Sequence, residues 1–436
     1  NNLGEGLKML EQERNDLLMD VDAGTPMGDL LRRYWMPIGA ATEFDDKDTK
    51  PMVLMGEKLV LYKDLSGSYG LIDRHCSHRH ADLSYGFVEE CGLRCNYHGW
   101  LFKEDGECIG QPYEDTVDPE CKLREQSGIN GYPVEEKSGL LWAYMGPLPA
   151  PLIPNYEPFT WKNGFAQIVM TELPCNWFQC QENSCDPVHF EWMHANWSVR
   201  LRDVGEDYVP THVELDFEEF DHGISYKRVR EDTDKNHPLW TIGRHCLWPN
   251  ALYTGDHFEW RVPVDDDTTL SVGWFFSRVP NEMEPYVQES IPSWVGPLVD
   301  EKTGRWITSH VMNQDFVAWV GQGARSDRTK EHLGRSDRGI AMIRKRFLDD
   351  IKAIENGEDP KAIIRDEKVN ECVKFPLIGA EMMIDGYPKE MLENTDSPMV
   401  RSKRQFIFQA GQPEHVTKAY EAAMGFKTDK GGLTGR

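Results

Sequence analysis

Two short runs constrain this chain more than any other feature of its sequence: Cys76-Ser77-His78 and, after sixteen intervening residues, Cys95-Asn96-Tyr97-His98. Together they put two thiolates and two imidazoles inside a 23-residue window. Each run offers one sulfur and one nitrogen donor, so all four meet at a single centre only where two loops are held face to face. Such a donor set suits a [2Fe-2S] centre in which one iron takes both sulfurs and the other both imidazoles. Neutral imidazole makes that centre less strongly reducing than an all-cysteine one. Zinc is the competing metal, but its paired ligands are usually separated by about two to four residues; the first pair here has one between them. Trp100, just past the second run, reads as a shield against water that tunes the potential. His75, His80 and Cys91 read as loop or core residues rather than ligands.

The flanks of this window fit a small β-domain. Met52–Met55, Leu59–Tyr62, Tyr69–Ile72 and Leu140–Tyr144 are short β-rich runs separated by Gly, Asp and Ser turns. Upstream, Thr25-Pro26 followed by Met27, Leu30 and Leu31 gives an N-cap, a proline in the first turn and an apolar stripe, predicting a short helix that ends before Pro37. Asn1–Lys8 read as a remnant ahead of a natural start at Met9 and are left out of the fold argument. Downstream, five prolines from Pro147 to Pro158 exclude both a helix and a central strand, so the domain boundary falls there.

Beyond the boundary the pattern predicts a strand at Phe165–Leu173, a helical stretch around Trp177–Trp192, and alternating strands from His212 to Val279. Val262-Pro263-Val264 reads as a strand entering a loop at Asp265–Asp267. A longer helix is expected over Ser336–Asn356, where Ile340, Ile343, Phe347, Ile351 and Ile354 recur at three and four and Gly357 closes the end. Its Arg344-Lys345-Arg346 run reads as a solvated face.

A second constellation lies in the helical stretch: Asp186-Pro187-Val188-His189, then His194 after four further residues. Five residues of a regular α-helix turn through about 500°, leaving the two imidazoles roughly 140° apart. They share a metal only if the helix bulges or ends between them, and Pro187, lacking an N–H, makes irregularity there plausible. Two imidazoles and one carboxylate on one face of a metal leave open positions on the other, the arrangement by which Fe(II) binds O2 beside a substrate. On the residues alone any of the 73 acidic side chains could supply the carboxylate. Asp315 in Met312-Asn313-Gln314-Asp315-Phe316, next to the apolar run Phe316–Val320, is the candidate. Cys175, Cys180 and Cys185, five apart, converge poorly and read as buried thiols.

Bulk properties narrow the partners. At 436 residues the chain exceeds what one core usually supports, so two domains are expected, and 39% hydrophobic against 28% charged residues is a globular balance. The net charge of -25 disfavours nucleic acid and anionic membranes. No apolar stretch is long enough to span a bilayer. Ten cysteines without dense spacing do not make a secreted disulfide scaffold. A soluble, cytoplasmic protein is expected.

The two constellations, in this order and along nearly the whole chain, resemble the oxygenase (alpha) subunits of the Rieske non-haem iron aromatic-ring oxygenases. The resemblance implies that Cys76, His78, Cys95 and His98 hold the cluster, that His189 and His194 are iron ligands, and that Asp315, in an Asn-Gln-Asp stretch similar to phthalate-type members, is the third. It also implies that Asp186 bridges a cluster histidine of one subunit and an iron histidine of its neighbour, hence a homotrimer or a stacked pair of trimers. The implied fold is α+β: a small all-β Rieske domain at 37–148 and a catalytic domain at 149–436, with an antiparallel sheet flanked by helices in a helix-grip, START-like arrangement. Residues 1–36 form a helical segment packing on the catalytic domain.

Met27-Gly28-Asp29-Leu30-Leu31-Arg32-Arg33-Tyr34-Trp35 and Gly334-Arg335-Ser336-Asp337-Arg338-Gly339-Ile340 are similar to the phthalate 4,5-dioxygenase and dehydrodivanillate O-demethylase branch, whose members act on aromatic carboxylates. Arg261-Val262-Pro263-Val264-Asp265-Asp266 is closer to the O-demethylase side. An anionic substrate calls for a buried cation near the iron. Arg244 is the first candidate, with a structural salt bridge as its competing reading; Arg200 and Arg202 are alternatives.

The implied activity is an O2-dependent hydroxylation or O-demethylation of an aromatic carboxylate at a mononuclear Fe(II). Its electrons come ultimately from NAD(P)H through a separate flavin or ferredoxin-type reductase. The alternatives are a cis-dihydroxylating dioxygenase, a Rieske electron carrier with a non-catalytic binding domain, and a zinc-dependent binding protein. Metal content separates the classes: about three irons per chain for an oxygenase, about two for the carrier, none for the zinc protein.

Overall fold

The computed structural model describes residues 11–197, 211–255, 257–393 and 411–427. Asn1–Lys8 and the candidates Arg200 and Arg202 lie outside them. Trp35–Ala40 pairs antiparallel with Leu140–Tyr144, which also pairs with Val134–Lys137, so the chain leaves this three-stranded sheet and returns to it. Between departure and return it builds two four-stranded antiparallel sheets. One orders Thr49–Leu54, Glu57–Lys63, Tyr69–Asp73 and Gly131–Tyr132; the other orders Phe87–Val88, Leu93–Arg94, Leu101–Phe102 and Cys108–Gly110.

In Glu57–Lys63 the run Leu59, Val60, Leu61, Tyr62 is wholly buried because both faces are covered. Leu59 and Leu61 join the main core, whereas Val60 and Tyr62 join a small core with Cys76 and Cys95. The period of two along a strand thus divides one apolar run between two cores, each buried aliphatic side chain contributing about 1.5–3 kcal/mol.

Most of the remaining chain forms an eight-stranded sheet in the order His212–Phe220, Gly223–Arg230, Arg244–Leu247, Ala251–Tyr253, His257–Pro263, Thr269–Arg278, Gly164–Leu173, Ser293–Val295. The expected antiparallel sheet holds through seven strands. The eighth lies parallel to Gly164–Leu173, making the sheet mixed, because a crossing loop rather than a hairpin delivers it. In His257–Pro263, Phe258, Trp260 and Val262 enter the main core, while His257, Glu259 and Arg261 point to the other face. Trp260 stands perpendicular to Trp142, ring centres 5.4 Å apart, joining this sheet to the three-stranded one.

Helices cover the sheet. Thr25 Oγ1 accepts from Gly28 N at 3.1 Å and starts Pro26–Leu31, which packs on Arg338–Glu355. That long helix buries Ile340, Ile343, Phe347 and Ile351 as its periodicity predicts. Gly339 lets it approach: a Cβ there would sit 2.4 Å from the Cys185 carbonyl oxygen.

The reading of Arg344-Lys345-Arg346 as a solvated face is corrected by the structure. Lys345 is exposed, but Arg344 is buried and pairs with Glu182 (2.6 Å) and Glu331. Lying four residues after Ile340 and three before Phe347, Arg344 falls on the buried stripe, and the carboxylates compensate its charge.

Candidate metal centres

The two loops carrying the Cys/His pairs share one backbone form. Cys76 N donates to Ala81 O and His80 N to Cys76 O, both at 2.9 Å. Likewise Cys95 N donates to Trp100 O at 2.7 Å and Gly99 N to Cys95 O at 3.0 Å. The fourth residue after each cysteine is left-handed, with φ 56° at His80 and 78° at Gly99, a conformation glycine adopts without the cost a side chain brings.

These loops bring all four predicted cluster donors together. Cys76 and Cys95 are 1% and 2% exposed, whereas His78 and His98 are exposed, their ring centres 4.5 Å apart. Trp100 is buried and stacks on His78 at 4.5 Å and 10°, the shielding position expected. Burial, with Cys95 alongside, pushes the Cys76 thiol above its ordinary range. Two buried sulfurs side by side become stable thiolates when they bind a cationic centre, so the donor chemistry fits an iron-sulfur cluster. Of the other three candidates in this window, His80 and Cys91 are exposed and His75 is half-buried.

The second constellation also converges. The helix Trp177–Asn183 ends before Asp186, and the chain then makes a π-helix over Phe190–Ala195. Its i→i+5 pattern is the irregularity that brings His189 and His194 to one side. From Val311–Gly321, capped by His310, Asp315 reaches between them: its Oδ1 lies 3.7 Å from His189 Nε2 and 3.4 Å from His194 Nε2. The donor atoms of these three residues all lie within 4.8 Å of one another.

Neighbours fix each donor. Gln314 Oε1 meets His194 Nδ1 at 3.0 Å and Asn183 Nδ2 donates to Asp315 Oδ1 at 3.3 Å, while Asp186 Oδ2 lies 3.4 Å from His189 Nδ1. An oxygen behind each imidazole turns its Nε2 lone pair inward, the arrangement that outer partners give metal-binding histidines. Burial would lower the His194 pKa, but Asp315 and Gln314 raise it overall. Two imidazoles and a buried carboxylate, turned toward one point, fit ferrous iron.

A cavity of roughly 420 Å³ opens beside these residues. Phe190, Leu252, Val311, Ile378 and Met382 give it apolar walls, and Arg244, the first substrate candidate, lines it with its guanidinium 4.1 Å over the Phe190 ring. Thr254, His257 and Glu259 line it too, and the sequence reading missed them. The signal was present in His257-Phe258-Glu259-Trp260-Arg261-Val262, whose strict alternation puts three ionisable groups on one face of a strand. Cys175, Cys180 and Cys185 are buried thiols, as read.

The family model of the Rieske [2Fe-2S] domain matches residues 34–127, and a model described as LigXa C-terminal domain like matches 297–375. The chain is 60% identical over 424 residues to the 5,5'-dehydrodivanillate O-demethylase oxygenase subunit of Sphingobium sp. (strain NBRC 103272 / SYK-6), covering 97% of this chain and 99% of that one. It belongs to the Rieske non-haem iron oxygenases. The phenoxybenzoate dioxygenase subunit alpha of Ectopseudomonas oleovorans is 33% identical, over 79% of this chain and 87% of its own. Pseudomonas putida CBB5 NdmA QL mutant with caffeine shares the fold at TM-score 0.56 and 20% identity, covering 76% of this chain and 93% of that one.

As an oxygenase alpha subunit, this Rieske oxygenase carries a [2Fe-2S] cluster and a mononuclear iron, and takes electrons from a separate reductase or ferredoxin. The electron-carrier and zinc readings are thereby set aside. Among the described residues no helix is long and apolar enough to cross a membrane.

Proposed function

We propose that this oxygenase removes a methyl group from a methoxylated aromatic carboxylate, with Cys76, His78, Cys95 and His98 holding the cluster and His189, His194 and Asp315 holding the iron. The convergence of those last three donors beside an apolar cavity that carries one arginine is the observation behind the reading. The 60% identical O-demethylase favours demethylation over cis-dihydroxylation. Domain extents of 1–36, 37–148 and 149–436 go with this assignment, as does a cytoplasmic location with access to NAD(P)H.

When bound, the cluster supplies electrons singly and the ferrous iron supplies O2 activation. The chain's own residues do the rest. Apolar walls exclude water and hold the ring. Arg244, in a protein of charge -25, draws in the carboxylate and orients the ring by a charge-assisted hydrogen bond. Gln314 and Asn183 keep His194 and Asp315 aimed inward.

Asp186 is partly exposed and touches His189, which suits it to accept a hydrogen bond from a cluster histidine of a neighbouring subunit. The exposed edges of His78 and His98 support the same contact and hence a homotrimer or stacked trimers. Oxidation of the methoxy carbon leaves a phenol and formaldehyde.

The test is to supply a reductase and NAD(P)H and screen aromatic acids for coupled O2 uptake. Methoxylated acids are expected to give formaldehyde in step with O2 consumed. A dihydrodiol without formaldehyde would move the assignment to dihydroxylation, and the absence of acid-dependent uptake would overturn it.

A further inference from the structure

Resting on the reading of this cavity as a site for aromatic carboxylates, we propose that its wall at Thr254, His257 and Glu259 receives a hydroxyl group on the substrate's ring. Its far side, at His257 and Glu259, stands two strands away from the arginine that receives the carboxylate.

The placement follows from strand register. His245 pairs with Tyr253 and Tyr253 with Phe258, so one residue along Arg244 stands beside Thr254 and Thr254 beside His257. Two strand spacings, about 10 Å at the backbone, separate Arg244 from His257, which leaves room for one aromatic ring between their side chains.

The chemistry follows from a hydrogen-bonded chain that runs outward from the interior. Arg261 Nη2 donates to Glu259 Oε2 at 2.8 Å, Glu259 Oε1 lies 2.6 Å from His257 Nε2, and His257 Nδ1 lies 2.8 Å from Thr254 Oγ1. Arg261 and Glu259 are buried and cancel each other's charge, and the imidazole is fixed in plane by stacking on Phe275 at 4.5 Å and 10°. Arg261 and His257 hold the Glu259 carboxyl well below the usual range against the pull of burial. A substrate carboxylate gains nothing from a wall whose charges cancel and would face the ionised Glu259. Among the described residues Arg244 is the permanently charged cation lining the cavity. A hydroxyl both donates and accepts, as the Thr254 hydroxyl does, and it adds no charge to a buried site. The strand face therefore sorts the substrate's groups, the anion at Arg244 and the hydroxyl at Thr254, whose own hydroxyl His257 holds in place.

The experiment is an anaerobic binding titration of the holoenzyme with two probes, a methoxybenzoate carrying a ring hydroxyl and the same acid with hydrogen in its place. The wild type is expected to bind the hydroxylated acid about tenfold more tightly, the scale of one satisfied hydrogen bond. Thr254→Val and His257→Phe, checked for an intact cluster spectrum, are each expected to bring the ratio between the two acids to about one. Arg244→Gln is expected to weaken both acids alike and keep the ratio. Equal binding of the two acids by wild type, or a ratio that survives both Thr254→Val and His257→Phe, overturns the inference and leaves the aromatic-acid reading standing. Failure of either acid to bind wild type defeats that reading and the inference together.

Discussion

At the cluster loops the sulfurs are sunk in a small core and the imidazoles face solvent, whereas at the iron pocket both imidazoles are largely covered and the carboxylate comes from another helix. The loops are local: each fixes its pair with backbone hydrogen bonds among six residues, and nothing distant supplies a donor. The pocket is assembled from two helices, with Gln314 touching His194 across 120 positions of chain. Its scaffold includes Glu182, clamped by Arg328 at 2.7 Å and Arg344 at 2.6 Å, one residue before the Asn183 that holds Asp315. An exposed nitrogen edge suits electron entry and exit; a covered, half-ligated metal suits O2 chemistry beside a bound substrate. The difference predicts that damage to the global fold should cost iron before it costs the cluster.

Three substitutions sharpen or break this contrast. The largest effect is expected from Asp315→Ala: iron should fall from about three to about two atoms per chain, turnover should vanish, and the cluster's absorption should persist. Full iron retention would mean that another carboxylate is the ligand. Next, Asp186→Asn should keep both metals, read by iron assay and spin resonance, yet slow turnover by about 10–100-fold, the usual cost of losing an outer partner. Unchanged turnover would remove its bridging role.

The smallest effect is on stability. Glu182→Gln should cost about 3 kcal/mol in denaturant unfolding, because it breaks a buried ion pair, and it should loosen iron while sparing the cluster. Burial alone would raise the Glu182 carboxyl, but Arg328 and Arg344 outweigh it and hold it below the ordinary 4.5. A depressed carboxylate contributes its stability in full above about pH 4.5 and loses it as pH falls through the lower folded value. Wild type should therefore loosen iron as the pH falls below about 4.5, and Glu182→Gln should show a weaker acid dependence there. Equal losses of cluster and iron would erase the contrast.

By itself the sequence determined the candidate cluster donors, because one loop apiece carries each Cys/His pair and a few residues of backbone decide their geometry. It determined four of the small β-domain's strands, those at Thr49–Leu54, Glu57–Lys63, Tyr69–Asp73 and Leu140–Tyr144, and the stripe of Arg338–Glu355 for the same reason, since periods of two and 3.6 are local. Only the tertiary structure decided which of 73 acidic residues stands by His189 and His194, because a partner on a distant helix leaves no spacing to read. It also decided that Arg344 turns inward and that His257, Glu259 and Arg261 share a cavity-side face of their strand. Charge type alone does not say which way a side chain points; burial against compensating partners does.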